Sequence, residues 1–336
     1  MVPDSCSILR ALPCDLCGQT QFEPISIADR RGGPLVTVLC GHCGLLSHDH
    51  IPSDEQLSDY YREQYRAEYH GEYLPAPHRV VREWKRGAYL AKLLLPHLKP
   101  RDRIFEIGCG MGCTVKQLEL AGLDASGIEP GDGFRRYATQ HLQARVERGV
   151  LADLHRPAQY DVALLVHVLE HLPSPTAALS QIRELLGGGG RLYLEVPDAG
   201  APHAHPDRMF HFAHIYNFTA STLEMLARKC GFQVRHWFSL PADRNLRVLL
   251  ERREDTRWQV DRVNPAATRR VLERFSGWRY HVRGAYLWDR LRTVLSHAQD
   301  RLAARLRVRQ IERRCQVDQV GVPSTRRCCS RSSAIM

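Results

Sequence analysis

The stretch Ile104-Phe-Glu-Ile-Gly-Cys-Gly-Met-Gly112 carries the clearest chemical pattern in this 336-residue chain. A short apolar run contains an acid, Glu106, and the glycines Gly108, Gly110 and Gly112 then alternate. A helix-like segment, Cys113-Thr-Val-Lys-Gln-Leu-Glu-Leu120, follows. Strand, glycine turn and helix in that order make a loop that cradles a nucleotide. Glycines lack a Cβ, so the backbone can turn sharply and a ligand can come close to it. A second strand pattern, Ala125-Ser-Gly-Ile128, ends in Glu129. That acid lies near the spacing of about 20 residues at which a carboxylate meets ribose hydroxyls.

The glycine spacing also narrows the ligand. A dinucleotide loop reads G-x-G-x-x-G, with a pyrophosphate on the helix N-terminus. Here the third glycine comes one residue early and Glu106 precedes the loop. A carboxylate repels a pyrophosphate and attracts an ammonium or sulfonium. The pattern therefore favours an adenosine ligand carrying positive charge and disfavours an NAD-dependent oxidoreductase.

A second chemical pattern lies near the N-terminus. Cys14-Asp-Leu-Cys17 and Cys40-Gly-His-Cys43 are two C-x2-C turns separated by 22 residues. Four thiolates so arranged are the ligand set of a closed, structural tetrahedral zinc site, a zinc ribbon. Gly18 and Gly44 each follow a second cysteine, where the turn is expected to aim backbone N–H groups at sulfur. Cys6 and His42 compete as ligands, but the two symmetrical pairs suit the site better. Leu35-Val-Thr-Val-Leu39 reads as a strand entering the second turn.

These residues need elements to position them. The period of the apolar residues predicts strands at 103–107, 124–128, 145–150, 161–166, 191–196, 232–239 and 246–251. It predicts helices at 79–95, 113–121, 133–142, 174–186 and 219–230, with Gly231 as a C′ glycine. Such alternation implies an α/β fold with a doubly wound, seven-stranded, mostly parallel sheet whose final strand is antiparallel. The chain divides into a zinc ribbon (1–53), a tyrosine-rich linker and helix (54–100), a core (101–255) and a basic helical tail (256–336). In the linker, Tyr61, Tyr65 and Tyr69 share one helical face and read as a packing stripe, with capping of the pocket as the alternative.

Charge is unevenly placed. Of a chain total of +10, residues 256–336 contribute +12 through 18 Arg against 6 acids, leaving −2 for 1–255. The core's charge thus makes no case for a nucleic-acid partner, which stays open to the tail. Leu291, Leu295, Leu302 and Leu306 give the tail an amphipathic helix over 287–311, whose leucine seam is expected to pack on the body or a second subunit. No apolar run approaches the 18 or so residues of a membrane span, and the N-terminus has no signal-peptide pattern. A reducing, cytoplasmic location is the expectation.

At this point the chain resembles the class I S-adenosylmethionine-dependent methyltransferases. The resemblance runs over roughly residues 80–252. It rests on Glu106–Gly112, Glu129, Leu151-Ala-Asp153, Asp161–Leu172 and Leu185–Pro197, in the family's order, the last resembling a helix end, a glycine turn (Gly187–Gly190) and the fifth strand. It implies a Rossmann-like core and S-adenosylmethionine bound by Glu106, Gly108, Gly110, Gly112, Glu129, Asp153 and His167. Glu129 would hold the ribose, Asp153 the adenine amino group, and His167 the methionine portion or the acceptor. Methyl transfer needs alignment and sometimes a base. His211 and His214 are the candidate bases, in a segment that places His203, His205, His211 and His214 within 12 residues. An unperturbed histidine titrates near working pH. A second metal site among these histidines is the less favoured reading. The ribbon joined to this core is similar to sugar C-methyltransferases, which carry a His-Glu-His segment here. This chain has Phe212-Ala213-His214, so only the last histidine matches, and the arginine tail stands in place of that family's C-terminal domain. A small-molecule acceptor follows, a sugar or a glycan or secondary-metabolite intermediate, methylated at C, O or N. The alternative is a nucleic-acid-binding protein or RNA methyltransferase.

Overall fold

The computed structural model describes residues 12–52, 75–201, 209–240, 243–274, 301 and 303–317. The tyrosine stripe, His203, His205 and most of the 287–311 helix expectation lie outside the described residues. Near the N-terminus, β1 Phe22–Ala28, β2 Pro34–Cys40 and β3 Leu46–His48 form an antiparallel meander. Helix α1 Pro77–Leu94 follows, opened by proline at its first turn, where a missing N–H costs nothing.

Strand and helix then alternate as the apolar pattern requires. They are β4 Arg103–Ile107, α2 Cys113–Leu120, β5 Asp124–Ile128, α3 Asp132–Gln140, β6 Val146–Glu147, β7 Tyr160–Val166, α4 Pro175–Leu185 and β8 Leu186–Pro197. The run ends with β9 Tyr216–Asn217, α5 Ala220–Lys229, β10 Phe232–Trp237 and β11 Asn245–Arg252. The main sheet has seven strands in the order β10-β11-β8-β7-β4-β5-β6. Strands β4 to β8 pair in parallel, and β11 lies antiparallel to β8 and β10. This is the doubly wound, mostly parallel sheet expected. One face packs on α4, α5 and the ribbon residues Leu16 and Leu45. The other packs on α1, α2 and α3.

Three local expectations need correction. The strand at 145–150 is only two residues long. Gly187–Gly190 is not a turn ahead of a strand at 191 but lies within β8, as a bulge. Tyr160 faces Leu186 and Val162 faces Arg191, so two steps along β7 span five along β8. In the tail, α7 Ala304–Val317 follows α6 Asn264–Arg274. Its buried face is Ala304, Ile311 and Cys315, whereas Leu306 is 59% exposed. The helix is rotated so that small and branched side chains meet α1, and Tyr137 Oη–H donates to Glu312 at 2.9 Å.

The ribbon is joined to the core by directed bonds. Strand β9 pairs with β3, and the meander becomes a four-stranded sheet, β1-β2-β3-β9. His48 N–H donates to Ile215 O and Arg30 N–H to Phe210 O, each at 2.8 Å. The first cysteine turn meets α4: Asp15 accepts from Ser174 Oγ at 2.6 Å and Thr176 N at 2.8 Å. The second meets α6, where Asn264 Nδ2 donates to Cys43 O at 2.8 Å. The segment 210–217, which carries two of the histidines, is thereby pinned at both ends to the ribbon. Among the described residues no helix is long and apolar enough to cross a membrane.

Candidate active site

A cavity of about 590 Å³ opens beyond the carboxyl ends of β4, β5 and β7. It sits where the strand order reverses between β4 and β7, the usual place for a ligand in an open α/β sheet. Its volume falls in the range of small-molecule sites. The glycine loop, Glu129 and the turn Leu151–Asp153 form one half. His167, Val168 and His171 line another part, and one face of α1 (Arg79, Glu83, Arg86, Leu90) completes the wall.

In the first half the backbone does the shaping. Gly110 has φ +57°, and a Cβ there would meet nothing within 4 Å, so its open face belongs to the cavity. Glu129 is 2% exposed. One of its carboxylate oxygens accepts from Gly110 N and the other from Gly131 N, both at 2.9 Å. Two amides from two loops thus hold a carboxylate at the cavity wall. Glu106 is also buried, and its Oε2 has no hydrogen-bond partner. Burial pushes its carboxyl up to about 8, against the pull of the Arg86 guanidinium. Gly108 and Asp153 line the cavity; Gly112 does not. Gly112 caps α2 in the left-handed region and backs onto Val146, Ala144 and Ala138.

Helix α1 reaches the loop because Gly87 has no side chain. A Cβ there would come 2.8 Å from the Cys113 carbonyl group. This close approach brings Arg86 over the cavity, where it pairs with Glu195 at 3.3 Å.

The histidine part is assembled from distant segments. His167 ends β7 at φ +53°, a strained geometry for a non-glycine that costs about 1–2 kcal/mol. Its Nδ1 lies 3.2 Å from Glu170 Oε1 and its Nε2 3.4 Å from Glu195 Oε1. Burial alone would lower its pKa, but the two carboxylates overcome that and raise it to about 9. His167 is therefore an imidazolium held between two acids, each pulled down to about 2 despite burial. Asn245 Nδ2 donates to Glu195 at 2.8 Å. His171 Nδ1 donates to Ala213 O at 2.6 Å, which leaves the lone pair on Nε2.

His211 and His214 stand behind this wall and do not line the cavity. The His214 ring meets His171 edge-on at 4.9 Å, and His211 lies 5.5 Å beyond it. Burial lowers both, His211 to about 3, so both rings are neutral. The histidines expected as bases thus reach the cavity only through His171.

Residues that sequence reasoning left without a role are Glu170, His171, Glu195, Arg86 and Asn245. Some left a signal. His167 and Glu170 sit three apart across a turn, and Glu195 is an acid in the run Leu192-Tyr-Leu-Glu-Val196. Arg86 and Asn245 left none, because only the fold brings them to β7.

Cys14, Cys17, Cys40 and Cys43 converge as the spacing predicts, with all four sulfurs within 4.8 Å of one another. The Cys14–Cys43 and Cys17–Cys40 sulfurs are 3.5 Å apart. A tetrahedron of Zn–S bonds of about 2.3 Å has edges of about 3.8 Å, so the donor set fits zinc. The glycine amides do not face sulfur. Gly18 N–H and Gly44 N–H close their turns on the Cys14 and Cys40 carbonyls, at 2.7 and 2.9 Å.

Fold and cavity together define a class I S-adenosylmethionine-dependent methyltransferase domain, and the chain carries one. Residues 78–236 match the Methyltransf_23 family, a methyltransferase domain. The ubiquinone biosynthesis O-methyltransferase of Aeromonas salmonicida is 34% identical over 99 residues, covering 27% of this chain and 42% of that protein. The tRNA U34 carboxymethyltransferase of Psychromonas ingrahamii is 26% identical over 179 residues, covering 49% and 52%. The chain thus spans about half the length of the curated relatives it matches. Among solved structures, the Burkholderia thailandensis 1,6-didemethyltoxoflavin-N1-methyltransferase aligns at 18% identity and TM-score 0.48, covering 65% of this chain and 96% of that one.

Proposed function

We propose that the protein moves the methyl group of S-adenosylmethionine to a small-molecule acceptor. One observation carries the reading. A single cavity holds a carboxylate fixed by two loop amides, Glu129, and a buried carboxyl with a partnerless oxygen, Glu106. The first suits ribose hydroxyls and the second a cationic centre. The bound sulfonium supplies an already activated methyl group.

The chain's own residues do the rest. Glu129 is oriented before the ligand arrives, so little ordering remains on binding. Asp153 accepts from the adenine amino group. Gly108 and Gly110 let the backbone lie against the ligand, while Gly112 sets the helix behind them. Glu106 ionises against the ligand's positive charge. Helix α1 covers the cavity and excludes water. The wall of His167 and His171 meets the acceptor.

Four cysteines hold a structural Zn²⁺, which suits a reducing compartment such as the cytoplasm. The ribbon's task is positional: it fixes the ends of 210–217 and hence the rings of His211 and His214. A sugar, or a glycan or secondary-metabolite intermediate, fits a cavity of this size. The lining mixes the acids Glu83, Glu106, Glu129 and Asp153 with Arg79, Arg86 and His167, so it offers no uniformly basic surface to a polyanion such as RNA.

The test is calorimetric titration of S-adenosylmethionine into the wild type, Glu129→Ala and Gly110→Val. Saturable 1:1 binding, weakened about a hundredfold or more in both variants, is expected from the loss of charge-assisted hydrogen bonds and of the loop's shape. Unchanged affinity in both would overturn the assignment.

A further inference from the structure

We propose a second metal site, for a divalent ion of the Fe²⁺ to Zn²⁺ kind, formed by Glu170, His171 and His214 at the cavity wall. Their ligand atoms all lie within 4.8 Å of one another. The Glu170 oxygen nearer to His171 Nε2 is Oε1, at 3.9 Å, which also lies 3.2 Å from His167 Nδ1, so Oε2 is the oxygen left to turn toward an ion. Ligands on a common ion with bonds of about 2.1 Å are separated by about 3.0–3.4 Å. From the 4.8 Å limit the cluster need draw in by up to about 1.5 Å, a movement within reach of side-chain rotation.

Three independent features mark this as a built donor set. Glu170 is 1% exposed and its Oε2 has no hydrogen-bond partner, an arrangement that costs free energy unless a cation completes it. His171 donates its Nδ1–H to the Ala213 carbonyl. A metal-bound histidine is oriented in this way, its far ring nitrogen fixed on a backbone oxygen. His167 Nδ1 lies 3.2 Å from Glu170 Oε1 and so sets the carboxylate's direction.

Two imidazoles and one carboxylate oxygen select a borderline divalent ion. His171 lines the cavity, so the ion's remaining positions face the ligand space. There an oxygen of the acceptor would coordinate and become more acidic; this last point rests on the methyl-transfer reading, whereas the binding of the ion does not. His214 belongs to the segment pinned by the ribbon. The closed cysteine cluster would thus support an open site one loop away.

Metal counting on the full chain tests the proposal without any turnover. After equilibration with limiting excess Zn²⁺ and removal of the free ion, two ions per chain are expected in the wild type. One is expected in His214→Ala and in Glu170→Gln, and none in Cys14→Ser/Cys17→Ser, where the segment 210–217 that carries His214 is released. The ion retained by the first two variants reports that the ribbon has folded. Substitution with Co²⁺ separates the sites by spectrum. The cysteine site gives intense thiolate charge-transfer bands, and the second equivalent gives only the weak visible bands of nitrogen and oxygen ligands. A wild-type count of one, a Co²⁺ spectrum of thiolate character only, or two ions retained in both His214→Ala and Glu170→Gln would overturn it. Loss of activity in His171→Ala with a wild-type count of one would instead assign these histidines to proton transfer. Failure of S-adenosylmethionine to bind leaves the count unaffected, so the two readings fail separately.

Discussion

The two parts of the cavity are built by different means. In the glycine-loop half, backbone does the work: Gly110 presents an open face, and loop amides hold Glu129. Its parts lie within a few dozen consecutive residues. In the histidine part, side chains do the work, gathered from α1, the end of β7, β8, the 210–217 segment and β11. The first half is fixed by local conformation, which a short sequence pattern encodes. The second exists only once the sheet, α1 and the ribbon have assembled. The histidine part should therefore be the more easily lost.

Removing the ribbon metal puts the largest strain on this contrast. Cys14→Ser/Cys17→Ser, or a strong chelator, should lower the thermal midpoint by roughly 10 °C, equivalent to several kcal/mol. It should also release the 210–217 segment. Thermal unfolding with and without chelator checks the first point. Hydrogen exchange at Phe210–Asn217, with protection retained at Ile104–Gly112, checks the second. Equal loss of protection at both would erase the distinction between them.

A smaller effect sharpens the first half alone. The Glu106 carboxyl is raised to about 8, so below that pH a cationic ligand must displace its proton. Affinity for S-adenosylmethionine should then rise with pH, by up to about tenfold from pH 6 to 7. Proton release should be visible by calorimetry in buffers of different ionisation enthalpy. Glu106→Gln should bind more weakly and lose the pH slope. The sign for folding is opposite. Because the folded chain holds this proton more tightly than the unfolded chain, Glu106 favours folding least at high pH. Its contribution is lost as pH rises from about 4.5 through about 8. In the absence of ligand, Glu106→Gln should therefore be the more heat-stable protein at pH 9.

The contrast also explains what the sequence disclosed. The seven-stranded sheet, the antiparallel last strand and the convergence of four cysteines were legible, because each depends on period or spacing. Gly187–Gly190 misled, because a run of glycines reads as a turn whether it ends a strand or bulges within one. Leu306 misled because a leucine spacing does not say which face a partner will cover; Ile311 and Cys315 are buried instead. His211 and His214 drew notice by their density, yet the ring at the cavity is His171. Their burial behind it follows from β9 joining the ribbon sheet, a two-residue pairing that no periodicity announces. Arg86 and Asn245 were beyond reach for the same reason.

The most direct measurement is the affinity of S-adenosylhomocysteine for the wild type, Glu129→Ala and His171→Ala, by calorimetry at one pH. If the cofactor belongs to the glycine-loop half and the acceptor to the histidine part, Glu129→Ala loses about a hundredfold or more while His171→Ala stays within a few-fold of wild type. Equal losses in both variants, or no loss in Glu129→Ala, would contradict that division of the cavity.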